Sequence, residues 1–410
     1  MKRILSLPFL LMFFMFTSCS EEPQEDLVSV AVPITQSIAD FRASVKIEEP
    51  RTIKESGKIY SWNDYIFIND KNEGVHIIDN TDPYNPVKIK FLKIPRNMDI
   101  AIKDSKLYAD SGMDLVVFNI SDVNNIQETA RIKDVFPAYI QTVPEGARYV
   151  DFENFNTEQE VIIGYLMEKR RIEETNIGFG TFEGSNFFAS DGGNSGTGGS
   201  MARFSIKDNF LYVADQNSLS VFDISSAANP NRISSEYAGW QIETIFNYED
   251  HLYLGSATGM FIYSIEDPAS PQHVSFLQHV LGCDPVVVKD NFAYVTIRGA
   301  NECEQNFNQL DIVDISDKQN PAIVNTYEMY NPYGLGIKDD WLFVCDGDAG
   351  LKVFDIKNTP NLEQVDQFSN INTYDVIPLE DKLLMVGDNI LYQYSYKGKE
   401  VNLISRFTLN

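Results

Sequence analysis

The sequence predicts an all-β protein assembled from seven copies of one four-stranded antiparallel unit. The first observation is a column in which a two-residue polar turn precedes a hydrophobic strand, and this column recurs seven times in 410 residues. The second is its regularity, because successive copies lie 41 residues apart except for two gaps of 104 and 49 residues. The third is that no long window keeps a 3.6-residue period, which excludes a helical fold. A fixed period of this length indicates a stacked repeat architecture.

Each copy is interpreted as a hairpin followed by two further strands. Asp and Asn tolerate the positive backbone angles of tight hairpins, and the turns are marked by Asp64, Ser105, Asn209, Asp250, Asn291, Asp340 and Asp381. Six copies carry an aromatic residue three positions later, and these residues are predicted to lie in the core: Phe67, Tyr108, Tyr212, Tyr253, Tyr294 and Phe343. A third strand follows about ten residues on, and a fourth completes the unit.

The third strand carries the motif that identifies the repeat, as in "LDIVDIS" at 310–316 and "LKVFDIK" at 351–357. This motif resembles the LVIVD repeat of secreted and surface lipoproteins of bacteria and archaea. Four-stranded units stacked around an axis form a β-propeller. We therefore predict a seven-bladed β-propeller over residues 45–410, in which residues 45–53 form a strand that helps to close the ring against the last blade. The resemblance implies no established activity.

The N-terminus is typical of an exported protein. Residues 1–18 combine two basic residues with a short apolar run, as a signal peptide does. The ending before Cys19 resembles the lipobox of bacterial lipoproteins, which implies a triacylated, palmitate-bearing Cys19 and a membrane anchor that does not span the bilayer. Ser20 favours the outer membrane, and the acidic residues after it resemble the export signal of surface lipoproteins in Bacteroidota, which implies exposure at the cell surface. Residues 19–44 are expected to be a flexible tether. The alternative is an ordinary signal peptide with an incidental cysteine.

The charge balance and the scattered histidines restrict the ligands. The chain has 33 basic and 59 acidic residues, a formal net charge of −26, so it repels phosphate backbones and nucleic acid is not expected as a partner. The four histidines lack the close spacing of a zinc site. "CDGDAG" at 345–350 resembles a calcium loop but lacks the ligand series ending in Glu, so it is interpreted as a hairpin turn. No cofactor is expected, with calcium as the alternative.

The two long gaps place insertions at one end of the predicted propeller. One insertion, at about 137–200, lies between blades two and three, and the other, at 299–309, separates the second and third strands of unit five. In an up-and-down sheet both emerge at the end where first strands begin. Cys283 and Cys303 occupy that end of unit five, so a disulfide between them is expected, with free thiols as the alternative. Cys345 lies on a strand and is expected to be buried.

Loops at this end form the candidate functional surface. Mixed charges and aromatic side chains at the starts of the first strands suit a polar ligand such as a sugar. The candidate binding residues are Asp99, Arg203, Trp240, Glu243, Asp284, Tyr333, Tyr374 and Asp375. The alternative is a water-filled entrance whose charges solvate one another.

Three functions remain open, because no catalytic constellation is recognisable in the sequence. The first is a non-catalytic cell-envelope platform that binds a protein or a glycan through the loop-rich face. The second is a carbohydrate- or lactone-active enzyme that uses the carboxylates Asp99, Glu243, Asp284 and Asp375, with Tyr333 and Tyr374 as stacking groups. The third is a structural adhesion or envelope-assembly component that binds through the insertion at 137–200. Fold does not decide among them.

Overall fold

The computed structural model describes residues 27–136, 143–171, 179–180, 197–198, 200–279, 285–299, 307–397 and 400–410. The chain divides into two compact units. Among the described residues, the smaller unit contains 27–35, 143–171 and 179–180, and the larger contains 36–136 and those from 197 onward. Most of the described insertion and residues 27–35 thus belong to one unit, although the sequence predicted a propeller insertion and a separate tether.

The N-terminal segment has regular structure, so the prediction of a flexible tether over 19–44 is wrong for its described part. It comprises β1 (Leu27–Ser37), the helix α1 (Ile38–Ala43) and β2 (Lys46–Glu48). Ser37 caps the helix, because its Oγ accepts a hydrogen bond from the main-chain N–H of Asp40 at 3.0 Å. In the larger unit, Arg42 holds the buried carboxylate of Asp114 with two hydrogen bonds of 2.8 Å.

Sheets 1 and 2 each contain four consecutive antiparallel strands. Sheet 1 comprises β3 (Ser56–Trp62), β4 (Tyr65–Asp70), β5 (Gly74–Asp79) and β6 (Val87–Lys93). Sheet 2 comprises β7 (Ile100–Lys103), β8 (Lys106–Ser111), β9 (Asp114–Asn119) and β10 (Gln127–Ile132). The insertion then contributes β11 (Tyr149–Asp151), β12 (Glu160–Arg171), β13 (Phe179–Gly180) and β14 (Thr197–Gly198).

Five further sheets repeat the same order. Sheet 3 comprises β15 (Phe204–Lys207), β16 (Phe210–Asp215), β17 (Ser218–Asp223) and β18 (Asn231–Tyr237). Sheet 4 comprises β19 (Ile242–Tyr248), β20 (His251–Ser256), β21 (Gly259–Ser264) and β22 (Gln272–Gln278). Sheet 5 comprises β23 (Val286–Lys289), β24 (Phe292–Arg298), β25 (Asn308–Asp314) and β26 (Ala322–Glu328). Sheet 6 comprises β27 (Leu335–Lys338), β28 (Trp341–Cys345), β29 (Leu351–Asp355) and β30 (Glu363–Phe368), and sheet 7 comprises β31 (Asp375–Pro378), β32 (Lys382–Gly387), β33 (Ile390–Lys397) and β34 (Glu400–Thr408).

The insertion and the N-terminus form an additional sheet in the smaller unit, so the described residues contain eight sheets in all. Its strand order is β12-β1-β11-β13, and β1 runs parallel to β11. Arg170 of β12 pairs with Asp151 of β11 at 2.5 Å. The sequence predicted strands in the insertion but not their pairing with β1, because no repeat or turn signal connects segments more than a hundred residues apart.

Hydrogen bonds within the turn after the third strand explain why the repeat motif has the same spacing in successive sheets, and sheet 5 is an example. Asp314 ends the third strand and its Oδ1 accepts a hydrogen bond from the N–H of Ser316 at 2.8 Å. Asp317 accepts from the N–H of Gln319 at 3.0 Å and from the amide of Asn320 at 2.9 Å. These Asx turns reverse the chain between the third and fourth strands. The first of the two contacts recurs at Asp79, Asn119, Asp223 and Asp355.

Glycine opens the third strand where the chain approaches the fourth strand closely. Gly350 has a φ of 89°, and a β-carbon there would lie 2.0 Å from the carbonyl oxygen of Phe368. Gly74 has a φ of 136°, and a β-carbon would lie 2.0 Å from the carbonyl oxygen of Leu92. Only glycine fits such positions without displacing the neighbouring backbone.

The hydrophobic core lies between successive sheets, and one further cluster joins the last sheet to the first. Seven clusters connect sheets 1–2, 2–3, 3–4, 4–5, 5–6, 6–7 and 7–1. The predicted aromatic column is confirmed as core, since each of its members is at most 2% exposed: Phe67, Tyr108, Tyr212, Tyr253, Tyr294 and Phe343. Cys345 is also buried and free, as predicted.

The predicted segment 45–53 contacts the last sheet through its final residue and not through its strand, because the N–H of Ile53 donates to the carbonyl oxygen of Leu409 at 3.2 Å. β2 pairs antiparallel with β6, at the outer edge of sheet 1. The four strands of sheet 7 are consecutive in the chain. Hydrogen bonds from side chains connect this sheet to sheet 1. The buried amides of Asn80 and Gln393 exchange two hydrogen bonds of 3.0 and 2.7 Å. Lys88 donates to the carbonyl oxygen of Leu409 at 2.8 Å.

Candidate functional site

We define the mouth face as the end of the larger unit where the first strand of each of sheets 1–7 begins. Adjacent sheets contact one another there. The N–H of Ile245 donates to the carbonyl oxygen of Ala202, and the N–H of Gly334 donates to that of Tyr374 at 3.0 Å. The connections between sheets and the loops between second and third strands share this end, because the strands run up and down.

Two predicted binding carboxylates are structural caps between sheets. Asp99 is 1% exposed, and its Oδ2 accepts hydrogen bonds from the N–H groups of Arg203 at 2.9 Å and Phe204 at 3.0 Å. Asp375 is fully buried, and its Oδ2 lies 3.5 Å from the N–H of Ile59. Each carboxylate therefore caps the start of the next sheet's first strand rather than facing solvent.

The burial of these carboxylates changes their acidity. Burial raises the pKa of Asp375 to about 7; the N–H of Ile59 and the charge of Lys58 oppose that rise, and the charge of Asp99 adds to it. Burial also raises the pKa of Asp99, against the opposing effect of Lys58. The interior beneath the mouth face thus holds carboxyl groups whose neutral form is favoured by desolvation.

Two further charged members of the predicted set, which the structure describes, are also buried. Arg203 is 5% exposed and Glu243 is 6% exposed. Lys58, from the same column, is 4% exposed and donates to the carbonyl oxygen of Met98 at 2.8 Å. Other residues therefore cover these three side chains, and the binding role of Arg203 and Glu243 stays a prediction.

The end of the insertion contacts the first strands of two sheets. β14 pairs antiparallel with β3, placing Thr197 opposite Ser61. Ser200 is 1% exposed, and its Oγ accepts a hydrogen bond from the N–H of Leu335 in sheet 6 at 2.8 Å. The end of the insertion thus connects sheets 1 and 6. This contact disfavours the alternative of a water-filled entrance.

The two predicted tyrosines lie together, but cations cover them. The ring centroids of Tyr333 and Tyr374 are 5.3 Å apart. The guanidinium of Arg298 lies 4.1 Å from the ring of Tyr333, and the ammonium of Lys71 lies 5.2 Å from that of Tyr374. Each cation covers one face of its tyrosine ring. The predicted stacking of a ligand would therefore use the other face of each ring.

A narrow pocket opens beside Tyr333. Its volume is about 10 Å³, which is room for about one water molecule. Side chains from sheets 4, 5 and 6 and from the end of the insertion line it: Met201, Glu243, Thr244, Pro285, Arg298, Pro332 and Tyr333. The pocket has an arginine, a carboxylate, a hydroxyl and an aromatic ring within its wall, which suits a small polar group.

Exposed aromatic side chains distinguish the mouth face. Trp240, which the sequence singled out, is 52% exposed in the connection from sheet 3 to sheet 4. Tyr237, Phe307 and Tyr330 are 75%, 55% and 61% exposed at the same end. Sequence reasoning missed these three; the available signal was an aromatic residue in a connection, where no core position requires one. Large, rigid, exposed aromatics are typical of binding surfaces.

The opposite end has a structural role that the sequence did not reveal. Lys207, at the end of a first strand, donates to Asp250 at 2.5 Å and to the carbonyl oxygen of Glu249 in the next sheet's turn. Lys289 reaches Asp340 in the same way at 2.9 Å. The contact recurs at Lys103 and Lys338. In each case, a lysine at the end of one sheet's first strand therefore donates a hydrogen bond to the polar turn of the next sheet.

The described part of the chain offers no metal site. Among these residues, no group of three or more His, Cys, Asp or Glu side chains is placed to hold an ion. In the "CDGDAG" segment, Asp346 instead accepts from the N–H groups of Tyr330 and Asn331 and pairs with Lys352 at 2.6 Å. Within the same residues, no helix is long and apolar enough to cross a membrane.

Some predicted residues lie outside the described residues. They are Cys19, Cys283, Asp284 and Cys303. Lipidation, the disulfide and the role of Asp284 therefore stay predictions.

Solved structures similar to this chain define its class. The computationally designed protein Ika8 aligns with a TM-score of 0.50 at 9% identity, over 86% of this chain and 89% of that one. A protein from Lactobacillus plantarum aligns with a TM-score of 0.50 at 10% identity, over 86% and 96%. BamB from Moraxella catarrhalis gives 0.48 at 7% identity, over 87% and 99%. The designed protein and the Lactobacillus plantarum protein, with TM-scores of 0.50, are β-propellers, and identities this low show the fold alone. The chain is a β-propeller protein.

Three segments of the chain match the LVIVD repeat. The model of that repeat matches residues 198–236, 283–329 and 334–367, which confirms the predicted resemblance in sheets 3, 5 and 6. No curated protein matches the chain.

Proposed function

We propose that this protein is a non-catalytic binding platform that holds a protein or glycan against its mouth face. The observation that carries the proposal is the group of four exposed aromatic residues at that end: Tyr237, Trp240, Phe307 and Tyr330. Exposing such side chains to water is unfavourable, and they contribute large contact areas at low entropic cost when a ligand covers them.

The state of the carboxylates favours binding over catalysis. Hydrolysis across a propeller mouth would need carboxylates that reach a substrate, yet Asp99 and Asp375 are buried and accept main-chain hydrogen bonds from neighbouring sheets. A general acid or base must lie within hydrogen-bond reach of the reacting group. The alternative of a carbohydrate- or lactone-active enzyme therefore has little support from these residues.

A thermal-shift screen of residues 20–410 tests the platform. The panel comprises glycans, calcium and other divalent ions, and purified envelope proteins. A ligand at a hundred times its dissociation constant should raise the unfolding free energy by about 2.7 kcal/mol. Replacing Trp240 by Ala should abolish that shift. A glycan or protein that stabilises wild type and W240A equally would contradict the proposal.

We also propose that the propeller is exported and anchored to the outer membrane through a triacylated Cys19, with the mouth face available to partners at the cell envelope. The N-terminal sequence pattern supports this. Substituting Cys19 by Ser should abolish incorporation of labelled palmitate and release the protein from the membrane fraction. Retention of the label in C19S would contradict it.

We infer that sheets 1–7 are the seven blades, and that the eighth sheet is an accessory. The seven intersheet clusters, one of which joins sheet 7 to sheet 1, support this assignment. An experimental density map with a different number of four-stranded blades around the axis would overturn it.

A second candidate function is adhesion or envelope assembly through the insertion. On β12, Ile163, Leu166 and Met167 are 44%, 56% and 40% exposed. Three exposed apolar side chains within five residues favour contact with a partner. Replacing Leu166 and Met167 by Ser should leave folding intact and reduce retention on intact envelopes; unchanged retention would exclude this role.

A further inference from the structure

The outer edge of sheet 1 is covered by a fifth strand that the chain itself supplies. β2 pairs antiparallel with the mouth end of β6, where Glu48 lies opposite Phe91. The guanidinium of Arg51 lies 3.7 Å from the centre of the Phe91 ring, and Phe91 is fully buried. An edge strand presents main-chain N–H and C=O groups that have no partner in its own sheet, and here β2 pairs with them.

Sheet 4 has the same arrangement of rings without the covering strand. Phe276 on its fourth strand lies opposite Phe261 on its third, as Phe91 lies opposite His76 in sheet 1. The ring centroids are 4.4 Å apart in sheet 4 and 4.6 Å apart in sheet 1. Phe276, however, is 40% exposed, and β22 is the edge of a four-stranded sheet. The two sheets thus offer the same receiving position, and in sheet 4 no strand among the described residues occupies it.

β22 also lacks the charges that keep an edge strand unpaired. Its sequence, "QHVSFLQ", contains no Lys, Arg, Asp or Glu, whereas each of the other six fourth strands contains at least one. Charged side chains on an edge oppose the addition of another strand, because pairing would remove them from water. β22 is therefore the fourth strand that is best suited to accept one.

Charge determines which kind of segment fits this edge. In sheet 1 the covering segment complements its surroundings, because Glu49 pairs with Lys90 at 2.7 Å and Arg51 pairs with Glu73 at 2.9 Å. Sheet 4, over residues 242–278, contains five acidic residues and no lysine or arginine. An acidic segment would find no partner there, whereas a neutral or basic segment meets no repulsion.

Phe276 is also continuous with the exposed aromatics of the mouth face. A β-carbon on Gly239 would lie 2.6 Å from the ring of Phe261, so the connection that carries Trp240 passes directly over that ring. The ring of Phe261 in turn contacts that of Phe276. Trp240 and the edge of β22 are therefore within reach of one partner.

We propose that the outer edge of β22 binds an extended segment of a partner protein, which adds a fifth strand to sheet 4 and covers Phe276. The segment is neutral or basic, and one of its side chains lies over the Phe276 ring as Arg51 lies over Phe91 in sheet 1. Main-chain hydrogen bonds supply the affinity, and the ring selects the side chain that covers it. This inference rests on the proposed binding function and specifies the partner as a protein.

Fluorescence anisotropy of a labelled peptide, titrated with residues 20–410 of the protein, tests the proposal. The peptide is the chain's own segment 45–53 with Glu48→Thr and Glu49→Thr, which make it basic. Wild type should bind it with a dissociation constant below about 1 mM.

Variants of the protein locate the bound peptide. Phe276→Ser should weaken binding at least about tenfold, because the peptide no longer covers an apolar ring. Ile233→Ser, on the fourth strand of sheet 3, removes an apolar side chain that is 41% exposed. It is the matched control and should bind the peptide as wild type does.

Two further peptides distinguish an added strand from contact through side chains alone, and they leave the protein unchanged. One is methylated on the main-chain nitrogens of positions 46 and 48, and the other on that of position 47. In an antiparallel pair, alternate residues direct their N–H groups toward the neighbouring strand, so one of the two peptides should lose binding and the other should keep it. If both bind as tightly as the parent peptide, the proposal is overturned.

The remaining outcomes separate this inference from the proposed function. A wild type that does not bind the parent peptide, or that binds it no better than F276S does, would overturn the added strand. W240A should still bind the peptide, because Trp240 lies outside β22. If F276S binds the peptide as wild type does while W240A loses the stabilising ligand of the thermal-shift screen, the mouth face stands and the added strand does not.

Discussion

The buried carboxyl of Asp375 makes stability depend on pH in a direction that can be worked out in advance. Its pKa is about 7 in the folded protein, against an ordinary value of 3.8. A folded pKa above the unfolded value means that the folded state retains a proton the unfolded state has lost. The contribution of Asp375 to stability is therefore fully present below about pH 4 and is lost as the pH rises through 7.

Asp375→Asn removes this titration while keeping a neutral side chain of similar shape. A rise from 3.8 to about 7 corresponds to roughly 4 kcal/mol across the full range, of which about 3 kcal/mol falls between pH 4.5 and pH 8. The unfolding free energy of D375N relative to wild type should increase by about that amount over this interval.

Urea denaturation at pH 4.5, 6, 7 and 8 provides the test. Asp366→Asn is the control, because Asp366 lies exposed on β30 and is solvated in both states. The difference in unfolding free energy between D366N and wild type should not increase with pH as that of D375N does. The prediction is wrong if the difference in unfolding free energy between D375N and wild type changes by less than about 0.5 kcal/mol over this range, or if it shrinks toward pH 8. It would mean that Lys58 keeps the buried carboxylate charged.

Three further substitutions test the repeat architecture. Gly350→Ala should lower the unfolding free energy by about 3 kcal/mol in urea denaturation, because the residue has a positive φ and the new β-carbon meets the backbone of Phe368. Gln393→Leu should cost about 1–3 kcal/mol by leaving the amide of Asn80 buried and unpaired. Lys289→Met should cost at most about 1 kcal/mol, and high salt should reduce that cost, because the partly exposed ammonium contacts the next sheet's turn.

These three substitutions have separate controls. Gly146 has a positive φ but no atom within 4 Å of a built β-carbon, so G146A isolates the backbone cost from the clash. The double variant Asn80→Leu with Gln393→Leu should recover much of the loss, because no polar group is then left unpaired. If it does not, the two amides do not close the repeat as described. A salt-independent effect at Lys289 would exclude an electrostatic contact between turns.

The repeat made much of the fold predictable from sequence. The first residue of most of these two-residue turns has a positive φ, as Asp339 does with a φ of 53°, and Asn and Asp tolerate such angles, so they mark the hairpins in the sequence. The aromatic column that includes Tyr253 occupies equivalent positions in successive sheets, and burial follows from the alternation of the strand. Local chemistry repeated seven times was sufficient for these conclusions.

The site was less predictable, because its properties arise between sheets. Asp99 has the sequence context of an exposed residue at a strand start, but its carboxylate caps sheet 3, which begins 104 residues later. The burial of Arg203 likewise depends on how sheet 4 packs beside it. β14 joins sheet 1 without any repeat signal. Trp240 was predicted because it lies near the aligned starts of the first strands, a position that the repeat alone identifies.

The central claim is that the mouth face binds a ligand through its exposed aromatics. Trp240→Ala combined with Tyr330→Ala removes two of them, and Tyr84→Ala removes an exposed aromatic, 71% exposed, between the third and fourth strands of sheet 1 at the opposite end. The direct measurement is binding of the labelled wild type and of both variants to one glycan and envelope-protein array. The account predicts that the W240A/Y330A variant loses the spots that wild type and Y84A retain. Equal binding by all three proteins, or loss in Y84A alone, would contradict it.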